Sequence, residues 1–278
     1  MKLISDYSKA YLFNSSYAAV KIAKNNPTER NVNFATHLLK IKMAKHNEEK
    51  NYKYKFLYRE MEQIRNNNRL DTAKNILKEV RNIYKGSNYK SANKLRMNRT
   101  IDEHMECSRR LDIVREKETL HESLVKSIAL KTGNCGELAR VAYALCHVRK
   151  LSPKLNSYET SDKSFNHAVC QVIVGGKKYI IDPWANLFCE EKHLIEELVN
   201  KAKLWENKDK IVLAGAADLQ EAYRDPSTLG SAKVTTAQIL DLKLTSSTTI
   251  NGKHNIVTPE FFSQLRKISV EPKKIRLL

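Results

Sequence analysis

No apolar run in this sequence approaches the ~18 residues needed to cross a bilayer. Nor does the start read as a secretory leader: after Met1-Lys2-Leu3-Ile4-Ser5, Asp6 and Lys9 interrupt what would be its apolar core. The expectation is a soluble chain without a cleaved signal. Cysteine is sparse. Cys107, Cys135, Cys146, Cys170 and Cys189 are odd in number and irregular in spacing, with no Cys-x-x-Cys among them. That argues against a disulfide framework and for a reducing place of work. There is no Gly-x-Ser-x-Gly elbow, P-loop or His-Glu-x-x-His helix. His104 and Cys107 have the i, i+3 spacing of two metal ligands, but no second pair lies near enough to complete a site. They read as helix-surface or core residues, and neither metal nor cofactor is expected.

Glycine is scarce. Only eight glycines occur in 278 residues, and Gly86 alone falls before residue 133. Four of them, Gly133, Gly136, Gly175 and Gly176, lie within 133–176. Glycine serves where the backbone turns sharply or approaches something closely, so this region invites scrutiny.

What the chain does have is charge and apolar periodicity. Hydrophobic residues make up 41%, enough for a core, and the formal net charge is +18. Residues 1–100 carry 22 Lys/Arg against 8 Asp/Glu and hold most of that excess. Such a region can meet an anionic membrane or an acidic partner; a solvated helical surface is the plainer reading. No nucleic-acid motif or zinc-finger spacing accompanies it. Helical spacing runs through Phe34–Met43 and Met61–Ile83, with a break expected at Asn66–Asn68, and Lys85-Gly86-Ser87-Asn88 looks like a helix stop. A soft boundary falls near 86–100. Another helical stretch spans about 101–132. The division expected is 1–100, a basic helical region; 101–210, the core; and 211–278, a mixed α/β extension.

Within the core, 135–149 reads as a helix and 167–174 as a strand. Gly175-Gly176 is a hairpin turn signal. Residues 177–182 form the return strand, which Pro183 stops, and 191–206 are helical. In the tail, 234–257 resemble a hairpin turning at Asn251-Gly252, and 259–267 follow a Thr-Pro-Glu helix start.

Three segments carry candidate chemistry. In Gly133-Asn134-Cys135-Gly136-Glu137 the cysteine opens a helix, where the macrodipole favours thiolate. Unpaired first-turn amides there can hold an oxyanion, with Asn134 a second donor. Glu137 reads as a helix-start carboxylate, not a base. In Asn166-His167-Ala168-Val169 the histidine opens a strand and can serve a thiol as general base. Asp182, in Ile181-Asp182-Pro183-Trp184, ends the return strand. A two-residue turn sets His167 opposite Trp184, beside Asp182, so the acid can orient the imidazole and Trp184 can shield the pair. Taken singly, each has an ordinary reading: a buried small thiol, a surface histidine, a turn. The ordered set is more specific. His147 is a poor rival, because it lies about 18 Å along the same helix as Cys135. His193 has no strand to aim it.

These three segments resemble the signatures of the transglutaminase-like, papain-fold cysteine superfamily, closest to bacterial secreted effectors of the thiol-protease and glutamine-deamidase types. The resemblance covers about residues 120–190. It implies an α+β fold with a papain-like core, a nucleophile-bearing helix packed on a small antiparallel sheet, beside a helical N-terminal region. It makes Cys135 the nucleophile, His167 the base and Asp182 the orienting acid, with Asn134, Gly136 and Trp184 lining the site. Cysteine-dependent hydrolysis of amides in a host protein follows, in a host cytosol reached by export. Transglutaminase-type acyl transfer is an alternative, although Val169 stands where transglutaminases proper often carry an aromatic. A non-catalytic binding module working through the basic helices is another.

Overall fold

The computed structural model of the chain describes residues 16–45, 48–87, 90–96, 99–116, 119–214 and 233–249. The fold is mixed α+β. Contacts divide it into two units: one ends at Thr72 and takes in Val174–Gly176, and the other begins at Ala73. That division falls inside a helix, N-terminal to the soft boundary expected at 86–100.

The first unit holds α1 (Ser16–Asn25), α2 (Glu29–Lys45) and the N-terminal part of α3 (Glu48–Ile83). Ala19, Val20 and Ala23 meet Val32, Ala35, Leu39 and Met61 in its core. Small residues on α1 leave room for the larger ones of α2 and α3. The break expected at Asn66–Asn68 is absent, since α3 runs through it unbroken. Asparagine is only a mild helix disfavourer. Asn68 turns its side chain away to donate to the Pro27 carbonyl, and its own carbonyl accepts from Thr72 Oγ1 at 2.8 Å. α3 stops at Ile83, and Gly86 takes φ +77°, as the helix-stop reading expects.

The second unit adds β1 (Lys94–Arg96), α4 (Ile101–Arg115), α5 (Leu120–Leu130), α6 (Cys135–Val148), β2 (Lys154–Glu159), β3 (Asn166–Val174), β4 (Lys177–Asp182) and β5 (Leu187–Glu190). A single 3₁₀ turn at Glu191–His193 leads into α7 (Leu194–Glu206), and β6 (Lys210–Val212), α8 (Thr236–Leu240) and β7 (Lys243–Thr248) follow. The stretch expected as one helix over 101–132 is two. Thr100 and Thr119 each cap a helix start, paired with Glu103 and Glu122 three residues on. The second of these capping boxes starts a new helix where the apolar pattern alone runs on.

The larger sheet is antiparallel in the order β5-β4-β3-β2-β7, and a second pairs β1 with β6. Gly175 and Gly176 have φ +58° and +78°, the backbone of a two-residue hairpin turn that matches strand twist. Helix α6 is buried on nearly all sides: Leu138, Ala139, Ala142, Ala144 and Cys146 are fully covered. It packs against α5, β2 and β4. A helix apolar all round belongs at the centre of a fold, and this one carries Cys135 at its first position. The expected hairpin over 234–257 is corrected in its first half, where Thr235 caps the short helix α8 through Gln238. The turn at Asn251-Gly252 and the helix at 259–267 lie outside the described residues. His104 and Cys107 face the core, and His104 Nε2 sits 3.3 Å from the Arg96 backbone.

Candidate active site

The loop before α6 is fixed from several sides. Lys131 takes a left-handed conformation to end α5. Ser127 Oγ donates to the Thr132 carbonyl at 2.7 Å and also meets Tyr84 Oη at 2.7 Å. The Gly133 amide donates to the Lys90 carbonyl. Asn134 Oδ1 then accepts from Ser91 Oγ and the amides of Ala92 and Asn93 at 3.1–3.4 Å. That oxygen fastens the 91–93 segment beneath the helix start.

Glu137 closes the first turn. Its carboxylate accepts from the Asn134 amide at 2.8 Å and from Arg115 Nε and Nη2 at 2.9 and 3.2 Å. Burial opposes its charge, but the Arg115 bonds outweigh this and hold it below the usual carboxylate range. Glu137 is therefore a fixed anion at the helix N-terminus.

His167 lies on β3, opposite Tyr158 of β2, with its ring turned inward. Nε2 is 2.7 Å from Asp182 Oδ2, and both side chains are 1% exposed. Asp182 Oδ1 accepts the Ala185 amide at 2.9 Å, so both carboxylate oxygens are engaged. The Trp184 indole lies against the imidazole, with ring centroids 5.1 Å apart, and Phe165 stacks at 6.5 Å. Nδ1 is buried and makes no ordinary hydrogen bond among the described residues. The group that acts on the ring besides Asp182 is the Cys135 thiol.

Charge couples the three. Burial opposes an imidazolium, but Asp182 and then Cys135 more than offset it, and the His167 pKa rises to about 10. Burial likewise opposes a thiolate at Cys135; His167 and the backbone amide of Ala168 overcome it, so this pKa falls. The other resolved thiols move the opposite way. Burial pushes Cys107 and Cys189 up to about 12, and Cys170 well above the usual thiol value. The arrangement favours a thiolate–imidazolium pair at Cys135 and His167.

Cys135 opens onto a cleft of about 490 Å³ bounded by Arg115, Gly136, Arg140, Asn166 and Ala168 among others. A β-carbon on Gly136 would meet nothing within 4 Å, so the backbone there is open to an incoming carbonyl. Trp184 is not among the residues bounding this cleft. It covers the far partners of the pair instead, its Nε1 donating to Ser91 Oγ and Asn93 Oδ1 at 3.1 and 3.2 Å. The sequence thus named three side chains that the fold brings together. It missed Arg115, the Ala168 amide and Lys94, whose amine donates to the Trp184 carbonyl and stands 3.7 Å from the Trp184 ring and 4.1 Å from that of Trp205. No local pattern marks a lysine some ninety positions away. His147 is exposed at the far end of α6, and His193 is exposed in the 3₁₀ turn; neither is placed to serve Cys135. No family model, curated protein or solved structure matches this chain.

Proposed function

We propose that the protein is a cysteine-dependent amide hydrolase acting on a protein substrate. The observation that carries this is the buried His167–Asp182 pair at 2.7 Å, coupled electrostatically to a thiol at the first position of a helix. A merely structural buried thiol has a raised pKa, as Cys107 has.

The Cys135 thiolate adds to a substrate carbonyl carbon. The developing oxyanion meets first-turn amides of α6, which have no intrahelical acceptor. The imidazolium gives its proton to the departing nitrogen, and the C–N bond breaks to leave a thioester. Water then gives a proton back to His167 as its oxygen attacks the thioester, and thiolate leaves. A glutamine side chain yields glutamate and ammonia; a backbone amide yields two chains. The papain-like assignment and action on a host protein, in a host cytosol, rest on the resemblance of the three segments.

The test is alkylation by iodoacetamide with peptide mass spectrometry. Cys135 should label at least tenfold faster than Cys107 or Cys189 at pH 7.5. The Cys135→Ala variant should keep the fold and lose all turnover, seen as cut or deamidated substrate in candidate host proteins. Labelling of the five cysteines at equal rates would sink the reading.

A further inference from the structure

A second pocket in the same unit shares no described lining residue with the Cys135 cleft. It encloses about 290 Å³, and eight of its fifteen described lining residues are Arg or Lys, with no acid among them. Arg81 comes from α3, Lys90 from the segment before β1, Lys94 and Arg96 from β1, and Lys210 from β6. Lys201 and Lys208 close the rim from α7 and the turn after it.

Register explains the density of charge. Lys94 and Arg96 are two apart on β1, so they share a face. Arg96 also stands directly opposite Lys210 across the β1–β6 pair, and like charges facing across strands are destabilising. None of Lys90, Arg96, Lys201, Lys208 or Lys210 takes part in an ion pair among the described residues. Burial and then repulsion from Arg81, Arg96 and Lys210 bring Lys90 down to about 8. Two of the basic groups are tied to backbone by the fold: Arg81 donates to the Pro183 carbonyl at 3.1 Å, and Lys94, whose burial brings its pKa well below the usual lysine value, donates to that of Trp184.

Asp182 acts on Arg81 and Lys94 from behind the pocket, but Lys90, Arg96, Lys201, Lys208 and Lys210 converge with no acid among the described residues lining it, and the free energy this costs is what a multivalent anion would recover. The volume sits at the small end of ligand pockets, which fits a compact solute. We infer that this pocket binds a compact anion carrying several phosphate groups, held by Lys90, Arg96, Lys210 and the rim lysines. The same chemistry is offered by a free polyphosphorylated solute and by a phosphorylated lipid headgroup. The inference makes no use of the Cys135 thiol and stands apart from the hydrolase reading.

The test uses inorganic tripolyphosphate as probe and the full chain. Calorimetry should show saturable one-to-one binding that weakens at least tenfold in a Lys90→Gln/Lys201→Gln/Lys208→Gln variant, and that also weakens as salt is raised. A charge-matched control, Lys21→Gln/Lys55→Gln/Lys78→Gln, should bind as wild type does. Phosphatidylcholine vesicles doped with a phosphatidylinositol bisphosphate separate the sources: sedimentation with them, reversed by tripolyphosphate, assigns a headgroup, and its absence assigns a free solute. The inference is overturned if folded wild-type protein gives no saturable heat at millimolar tripolyphosphate. It is equally overturned if the pocket variant and the control lose affinity alike, since net charge alone would then explain binding.

Discussion

A β-carbon at Gly133 would lie 2.7 Å from Glu137 Cβ, 2.9 Å from Leu138 Cδ1 and 3.1 Å from Ser127 Oγ. The first two belong to the rigid start of α6, so a side chain at 133 must displace the turn that sets Cys135. Gly133→Ala should therefore destabilise the fold by about 1–3 kcal/mol and slow Cys135 alkylation. Gly136→Ala meets open space, and alanine is the better helix former by up to about 1 kcal/mol. It should leave stability unchanged or raised while obstructing the cleft. Denaturant midpoints and alkylation rates on the two variants check this split. Both glycines were conspicuous in the sequence because glycine is so rare elsewhere, but their different duties were not. A steric requirement at 133 depends on where Leu138 and Ser127 come to rest, which no spacing rule contains.

Among the elements, Arg115 at the end of α4 and Glu137 at the start of α6 form a pair between one exposed partner and one buried one: their side chains are 50% and 5% exposed. Losing the arginine leaves a covered carboxylate held by the backbone amides of Asn134 and of Glu137 itself, with no cation beside it among the described residues to balance its charge. Arg115→Met should cost about 1–2 kcal/mol, discounted from a fully buried pair for the exposed side. Adding Glu137→Gln should recover part of it, because the charge itself is then gone; chemical unfolding of the two variants measures both effects. Elements were legible wherever apolar residues are continuous, as in 135–149, 167–174 and 177–182. β2 was not, and the reason is chemical. Its inward residues are Asn156 and Tyr158, which with Gln171 converge on Glu191 Oε1. A strand that buries polar groups shows no hydrophobic alternation. α8 was hidden for a related reason: in so short a helix the Thr235–Gln238 capping box is the signal, and the alternating apolar pattern outweighed it.

For the whole molecule, the buried imidazole sets a pH dependence. The folded pKa of His167 is about 10 against an ordinary 6.5. This group's contribution to stability is therefore complete below pH 6.5 and is lost as pH rises through about 10. Wild-type stability should fall over that interval beyond any background slope. Asp182→Asn should start less stable and show a flatter profile, in urea titrations from pH 6 to 10.5. Charge at this scale was half legible. The sum of +18 and its crowding into residues 1–100 could be counted, but a count has no direction. Folding carries Arg81, Lys90, Lys94, Arg96 and Arg99 to one pocket and adds Lys201, Lys208 and Lys210 from more than a hundred positions later.

The chain has only two tryptophans, Trp184 and Trp205, set edge to face with centroids 5.2 Å apart. The Lys94 amine lies over both rings. All indole emission from this molecule thus originates in a single corner, with a titratable nitrogen against both fluorophores. An optical signal ordinarily averaged over a whole fold reports here on one amine and whatever changes its charge.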